Sequence, residues 1–359
     1  MRAFACPVCR EFTAFESDRC AACQASLGLH LPSKSMVALV DGAAVIDGQR
    51  WVRCPQHATL GCTWLAPDEH DEYEKRGRCL ADSLIRREPA ADDTLAREKL
   101  VPTAAALRRL VFQLDDIGLP IDPFWREGRE PGLAFDLLPS YTTGEKVIIG
   151  HAGGVITIDL VESLDAYRES LRVQLGEPYR TMLGRFRHEV GHYYQNILVE
   201  TGSGAAEYLA DCRSLFGDEQ VSYSDSIARH YATGAPAGWG ESYISEYATM
   251  HPWEDFAECF AHYLHIADTI DTSREAGMVL LADRVRFTAP RDIVPLESYA
   301  DHPIERILFD WRWMSMFFNR VNTAMGKSPL YPFEIPPAVV GKLGFVHRVV
   351  RDTARQGKD

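Results

Sequence analysis

The chain of 359 residues has no run approaching the ~18 consecutive apolar residues of a membrane span. Helical membrane segments are therefore excluded from the expected fold. The opening residues, Met-Arg-Ala-Phe-Ala-Cys, turn polar too soon for a secretory leader, so an unsecreted, cytoplasmic chain is expected. Basic excess is also lacking: 38 Lys+Arg stand against 51 Asp+Glu, a net charge of −13 with pI near 5.4. That balance argues against non-specific binding to phosphate backbones. There is no internal repeat, no low-complexity segment, no G-x-S-x-G and no Rossmann fingerprint. Gly153-Gly154 lacks the Lys/Ser/Thr context of a phosphate loop. Cysteine is sparse only beyond residue 79. Seven of the nine lie between Cys6 and Cys79, with Cys212 and Cys259 read as buried helix thiols. Clustered cysteines in an unsecreted chain favour metal binding over disulfides.

What is present divides at Pro89-Ala90-Ala91-Asp92-Asp93, where composition shifts. This gives a module over 1–90 and a larger domain over 91–359. The module is Cys-rich with short strand-like runs at Met36–Val40 and Ala44–Ile46. Beyond the linker, a helix is predicted from about Asp93 to Asp116, capped by Asp93 or Thr94 and stopped by Gly118-Leu119-Pro120. Two β-like runs follow, Val147–Ile149 and Gly153–Leu160. Within the second, Gly154–Leu160 is either an edge strand for pairing with an extended peptide or a purely structural strand. From Glu162 onward helical patterns dominate, ending in a helix at about Pro336–Arg355. The expected class is α+β, a β-rich module followed by a mostly helical domain with a small sheet.

The strongest chemical signal is His188-Glu189-Val190-Gly191-His192 inside a helical pattern starting near Pro178 and stopping at Gly202. Residues four apart share a helix face, so His188 and His192 can reach one Zn²⁺ at ~2.0–2.1 Å. Glu189, rotated ~100°, falls beside the water that the metal activates and suits a general base that later acts as acid. A catalytic zinc needs a third protein ligand. The HExxHxxGxxH extension is absent, because Gln195 and Leu198 occupy its last two landmarks. Two downstream helices compete. One carries Glu207 and Asp211. The other runs from Trp253 to His265, with Glu254, Glu258, His262 and His265 within an arc of ~80°. If that stripe faces the histidines, Glu254 can ligate and Glu258 can hydrogen-bond a ligand histidine's free N–H. His262 lies ~12 Å along the axis from Glu254 and is read, with His265, as a packed histidine. His230 and His251 are candidates for substrate contact, with a plain surface or capping role favoured for each.

At the N-terminus, Cys6-Pro7-Val8-Cys9 and Cys20-Ala21-Ala22-Cys23 form two knuckles of a four-thiolate zinc site. Four thiolates leave no open position, so this zinc is structural. Cys54, Cys62 and Cys79 form a less regular set, which either holds a second structural zinc with His57 or Asp82 as fourth ligand or consists of three reduced thiols.

These motifs resemble the gluzincins, zincins whose third ligand is Glu. Glu254-Asp255-Phe256-Ala257-Glu258-Cys259-Phe260 is similar to the matching helix of the anthrax lethal factor catalytic domain. That resemblance implies Glu254 as ligand and Tyr247, just upstream, as a catalytic tyrosine. More broadly, the chain resembles bacterial zinc-binding metallopeptidases that carry an N-terminal zinc ribbon. The landmarks are Gly154–Ile158, Arg180–Gly184, Phe186–Glu189, Phe216–Glu219, His251–Glu258 and Tyr331-Pro332-Phe333. Members typically show another cysteine about where Asp82 stands, a departure that bears on the second cysteine set. The resemblance implies a zincin-like domain that hydrolyses peptide or other amide bonds, with one catalytic and one or two structural Zn²⁺. A peptide or protein substrate is expected, with no nucleic-acid or membrane partner. Two alternatives stay open: a non-peptidic or isopeptide amide hydrolase with the same zinc chemistry, and a zinc-ribbon binding protein on a degenerate protease scaffold. The 13 Lys+Arg and 15 Asp+Glu of residues 1–100 give the latter no basic footprint.

Overall fold

The computed structural model describes residues 3–68, 77–128, 130–140, 150–163, 181–202, 204–286 and 288–357. The chain forms two compact units, Met1–Asp116 with Ile121–Tyr167, and Ile117–Pro120 with Arg168–Asp359.

The first unit opens with the antiparallel pair β1 (Phe4–Ala5) and β2 (Phe12–Thr13), then the hairpin β3 (Leu27–His30) and β4 (Ser35–Ala38). A three-stranded meander follows, β5 (Ala43–Ile46), β6 (Gln49–Arg53) and β7 (Leu65–Pro67). Asp47-Gly48 turns the chain between β5 and β6 with φ of 51° and 82°, as a two-residue hairpin demands. Leu27, Leu29, Trp64 and Leu65 are buried beneath these strands. Two short helices, α1 (His57–Leu60) and α2 (Leu80–Ser83), precede α3 (Thr94–Asp116). The cap of α3 is Asp93, whose carboxylate accepts from Ala96 N at 3.0 Å. Leu100, Ala104, Leu107, Val111 and Leu114 form its buried stripe.

A four-stranded sheet completes this unit: β8 (Ile85–Arg87), β9 (Ala134–Leu138), β10 (Gly150–Ala152) and β11 (Val155–Asp159), in the order β10-β11-β9-β8. The expectation of an edge strand at Gly154–Leu160 is corrected here in favour of a structural one. β11 pairs on one side with β10 and on the other, in parallel, with β9. Gly153-Gly154, with φ of 53° and 82°, folds β10 back onto it and covers the edge. The run Val147–Ile149 lies outside the described residues.

The second unit is helical: α4 (Met182–Tyr194), α5 (Ala205–Phe216), α6 (Tyr223–Thr233), α7 (Pro252–Glu275), α8 (Ile304–Ala324) and α9 (Pro337–Gln356). Thr181 caps α4 by accepting from Gly184 N at 3.0 Å; Pro178 lies outside the described residues. α4 does not run as a regular helix to Gly202. Gln195–Glu200 winds into a wider π-helical turn, an irregularity frequent near functional sites. Pro252 at the first turn and His251 as cap start α7, which touches α4, α5, α8 and α9. Phe186, Val190, Phe256, Phe260 and Leu264 are buried at the centre. Lys342 of α9 reaches Asp255 at 2.5 Å in a buried ion pair. Among the described residues no helix is long and apolar enough to cross a membrane.

α4 and α7 meet at Gly191. A Cβ there would lie 2.9 Å from Ala257 Cα and 3.2 Å from its carbonyl oxygen. Both are backbone atoms and cannot turn aside. Gly191→Ala is therefore expected to destabilise the domain by about 1–3 kcal/mol, as overpacked sites do. A urea midpoint equal to wild type would show that the two helices have slack at this point.

Candidate metal centres and active site

The ligand atoms of His188, His192 and Glu254 all lie within 4.8 Å of one another. His188 Nε2 is 2.9 Å and His192 Nε2 3.6 Å from the same Glu254 oxygen, Oε2. Tetrahedral coordination with arms of ~2.0–2.1 Å separates N and O donors by about 3.3 Å, so the set fits one zinc. The two histidines come from one face of α4, and Glu254 from the first turn of α7. Glu207, the competing acid, is exposed on α5, and Asp211 pairs with Arg348.

Four neighbouring groups orient these donors. His188 Nδ1 bonds Glu258 Oε1 at 2.8 Å, which leaves Nε2, turned to Glu254, as the nitrogen that could take a metal. Ser245 donates to Glu258 Oε2 at 2.6 Å, and its own oxygen accepts from Ala248 N at 3.1 Å. Tyr223 donates to Glu254 Oε1 at 2.8 Å. His251 accepts from Trp253 N at 3.1 Å and bonds the Val221 carbonyl at 3.0 Å, so it caps α7 and tethers the approach to α6.

The electrostatics favour a cation. Burial opposes charge on His188, but hydrogen bonds to Glu254 and Glu258 outweigh it and raise its pKa to about 10. Glu258, against the upward push of burial, is lowered to about 2 by His188. Surroundings that hold a proton so firmly on an imidazole would hold a metal ion in its place.

Glu189, next to His188 on α4, is buried. One oxygen pairs with Arg185 at 3.1 Å, and the other, Oε2, has no hydrogen-bond partner among the described residues. A buried acceptor left open is costly unless something comes to occupy it. Tyr247, on a short 3₁₀ turn, sets its ring 5.8 Å from that of His188, with His230 a further 6.3 Å from Tyr247. His262 bonds the Tyr331 hydroxyl at 2.8 Å, and His265 stacks on the Tyr331 ring at 5.4 Å.

In the first unit, Cys6, Cys9, Cys20 and Cys23 converge, and no cysteine is in a disulfide. Cys6 and Cys23 sulfurs are 3.7 Å apart, and those of Cys9 and Cys20 3.5 Å. Thiolates at ~2.3 Å from one zinc are separated by about 3.8 Å. Each knuckle closes the same way, with Arg10 N on Cys6 O and Gln24 N on Cys20 O, both 3.0 Å. Arg10 and Gln24 take the left-handed conformation, φ of 68° and 61°. The Cys9 amide, opposed by desolvation and assisted by the Val8 amide, brings the Cys6 thiol down to about 6, which favours the thiolate a metal needs.

Cys54, Cys62 and Cys79 converge with Asp82, all four buried. Cys62 and Cys79 sulfurs are 3.7 Å apart, and Cys54 Sγ is 3.3 Å from Asp82 Oδ2. His57 instead bonds the Cys62 carbonyl at 3.0 Å. Arg108 of α3 reaches the other Asp82 oxygen at 3.3 Å and pairs with Glu16. Cys212 and Cys259 are buried thiols on α5 and α7.

Tyr223 and Ser245 were not among the residues expected from sequence. Nothing in their local pattern marks them, since each acts from an element outside both motif helices.

A helix pair that turns two histidines and a carboxylate onto one point, in a chain that also carries a four-cysteine ribbon, defines a zinc-binding protein. The chain belongs to the family described as "Putative zinc-binding metallo-peptidase", whose pattern matches residues 97–349; a zinc-ribbon domain matches residues 3–92. It is 38% identical over 365 residues to proteins of Mycobacterium bovis and of two strains of Mycobacterium tuberculosis, each described as uncharacterized. The match covers 99% of this chain and 96% of each relative. No solved structure matches the chain.

Outer groups that orient metal ligands typically contribute 10–100-fold to affinity. Tyr223→Phe and Glu258→Gln should each weaken zinc at the His188 centre by about that factor, read by chelator competition. Wild-type affinity in both variants would detach these hydrogen bonds from metal binding.

Proposed function

We propose that the protein is a zinc-dependent hydrolase of peptide bonds, of the gluzincin type. The observation that carries this reading is the convergence of His188, His192 and Glu254, with Glu189 adjacent and one of its buried oxygens unpartnered. His188, His192 and Glu254 would hold the catalytic zinc. Zinc supplies positive charge that polarises a carbonyl and brings the pKa of water towards ~7.

The chain's own groups account for the rest. Glu189 Oε2 takes the proton of the attacking water and then delivers it to the leaving amine. Arg185, 3.1 Å from the other Glu189 oxygen, fixes the carboxylate's direction. Tyr247, beside His188, donates a hydrogen bond to the oxygen that becomes negative as the carbonyl carbon turns tetrahedral. Glu258 and Ser245 keep His188 in one tautomer throughout.

The four thiolates of Cys6, Cys9, Cys20 and Cys23 hold one structural zinc, and Cys54, Cys62, Cys79 and Asp82 hold a second. The substrate is a peptide or protein in the cytoplasm, and neither nucleic acid nor membrane is a partner. Native mass spectrometry should find three zinc ions, with Cys20→Ser and Cys62→Ser each lacking one; a Cys62→Ser variant that keeps the wild-type count would remove the second cysteine site.

Glu189→Gln preserves the shape and the metal ligands but cannot accept the proton. It should bind zinc like wild type and lose about 10²–10⁴-fold in kcat on any cleaved peptide, the usual contribution of general acid–base catalysis. The measurement is turnover against mixed peptide and isopeptide libraries. Undiminished turnover in that variant sinks the mechanism, and cleavage confined to isopeptides would move the substrate class.

A further inference from the structure

A cavity of about 470 Å³ opens beside His188 in the helical unit. That volume is within the ~300–1,000 Å³ of ordinary ligand pockets. Its interior charges are already committed. Arg185 pairs with Glu189 at 3.1 Å and Arg187 with Asp268 at 2.6 Å. His262 and His265 lie buried in the wall, and desolvation lowers them to about 4 and 3, so both are neutral at pH 7. The rim is different. Glu246 and Glu334 are exposed there, and neither carboxylate forms an ion pair within the described residues. The partly buried aromatic residues Trp239, Tyr247 and Phe333 also line the cavity.

We propose that this cavity is a subsite for a long basic side chain, lysine or arginine, flanking the scissile amide. The inference rests on the hydrolase reading and names the substrate class that the same site selects. A lysine or arginine stem is apolar over three or four methylenes and needs an apolar wall, while its head needs water and a counter-charge. The aromatic rings supply the wall and attract a cation through their faces. Glu246 and Glu334 supply the counter-charge at the wet end. An acidic side chain would meet two free carboxylates and find both arginines taken. A short aliphatic one would leave much of the volume to water.

The test uses the full zinc-loaded chain and peptide libraries read by mass spectrometry. Cuts should be flanked by Lys or Arg at one fixed position. The Glu246→Gln/Glu334→Gln double variant, altered only at exposed positions, should reduce the arginine-over-leucine ratio of kcat/KM about tenfold, as two partly exposed charge pairs would. The ratio should also fall as salt rises. Cuts without a basic flank, or a ratio that the double variant leaves unmoved, overturn the subsite and leave the hydrolase reading intact. If no peptide is cut, the hydrolase reading fails, and saturation-transfer NMR with N-acetylarginine amide and N-acetylleucine amide decides the subsite separately. Stronger transfer to the arginine compound, lost in the double variant, supports it; equal transfer overturns it.

Discussion

The contact between Gly191 and Ala257 is the constraint on which the rest of the metal centre depends. A carboxylate on one helix reaches two imidazoles on another only if the backbones come close, and here one of the two residues at the crossing has no side chain. The spacing around that contact is what matters. His188 lies three residues before Gly191 and His192 one after. Glu254 lies three before Ala257 and Glu258 one after. Both motifs therefore bracket this close contact, with their functional groups within one turn of it. Glycine inside a helix costs about 1 kcal/mol relative to alanine. Burial of Phe186 and Val190 from one helix, and Phe256 and Phe260 from the other, offsets that cost on either flank.

Close approach brings its own difficulty, because it draws Glu189, Glu254 and His188 out of water together. Buried carboxylates persist only when they are hydrogen-bonded or paired. Glu254 has a histidine on one oxygen and Tyr223 on the other, and Glu258 has His188 on one and Ser245 on the other. Each acid is thereby satisfied at both ends and held in one orientation. Glu189 is the exception, with one oxygen paired to Arg185 and one open. The group assigned to move a proton is the one that the surroundings leave with an acceptor to spare.

How much of this could be read in the sequence follows from how local each interaction is. His188, Glu189 and His192 share a single turn and a half of helix, so spacing alone states their chemistry. Glu254 and Glu258 are legible through helical periodicity, but the face they turn to α4 depends on a crossing that no local pattern encodes. Sequence alone therefore leaves Glu207 as a competitor, and its exposure on α5 is a property of the folded chain. Tyr223 arrives from α6 and Ser245 from the loop before the 3₁₀ turn, and the carboxylates they bond, Glu254 and Glu258, both stand on α7. The strand at Val155–Asp159 was readable as a strand, but not as an inner one, because strand order is set by β9, about twenty residues upstream. The ribbon knuckles were fully local, since each turn closes within a few residues.

The three candidate centres differ in how completely they are closed, and that difference separates structure from chemistry. Cys6, Cys9, Cys20 and Cys23 would use all four tetrahedral positions, leaving no place for a substrate. Cys54, Cys62, Cys79 and Asp82 would do the same in a fully buried setting. There an aspartate stands in place of a fourth thiolate. It preserves the negative charge but not the size of the donor, and it brings a second oxygen, which Arg108 takes up. The departure is thus accommodated by a cation from α3 rather than by an extra sulfur. His188, His192 and Glu254 supply only three donors, and the cavity that borders His188 is also lined by the exposed Glu246 and Glu334. A zinc held by those three would keep a fourth position for a reacting group, as the proposed hydrolysis requires.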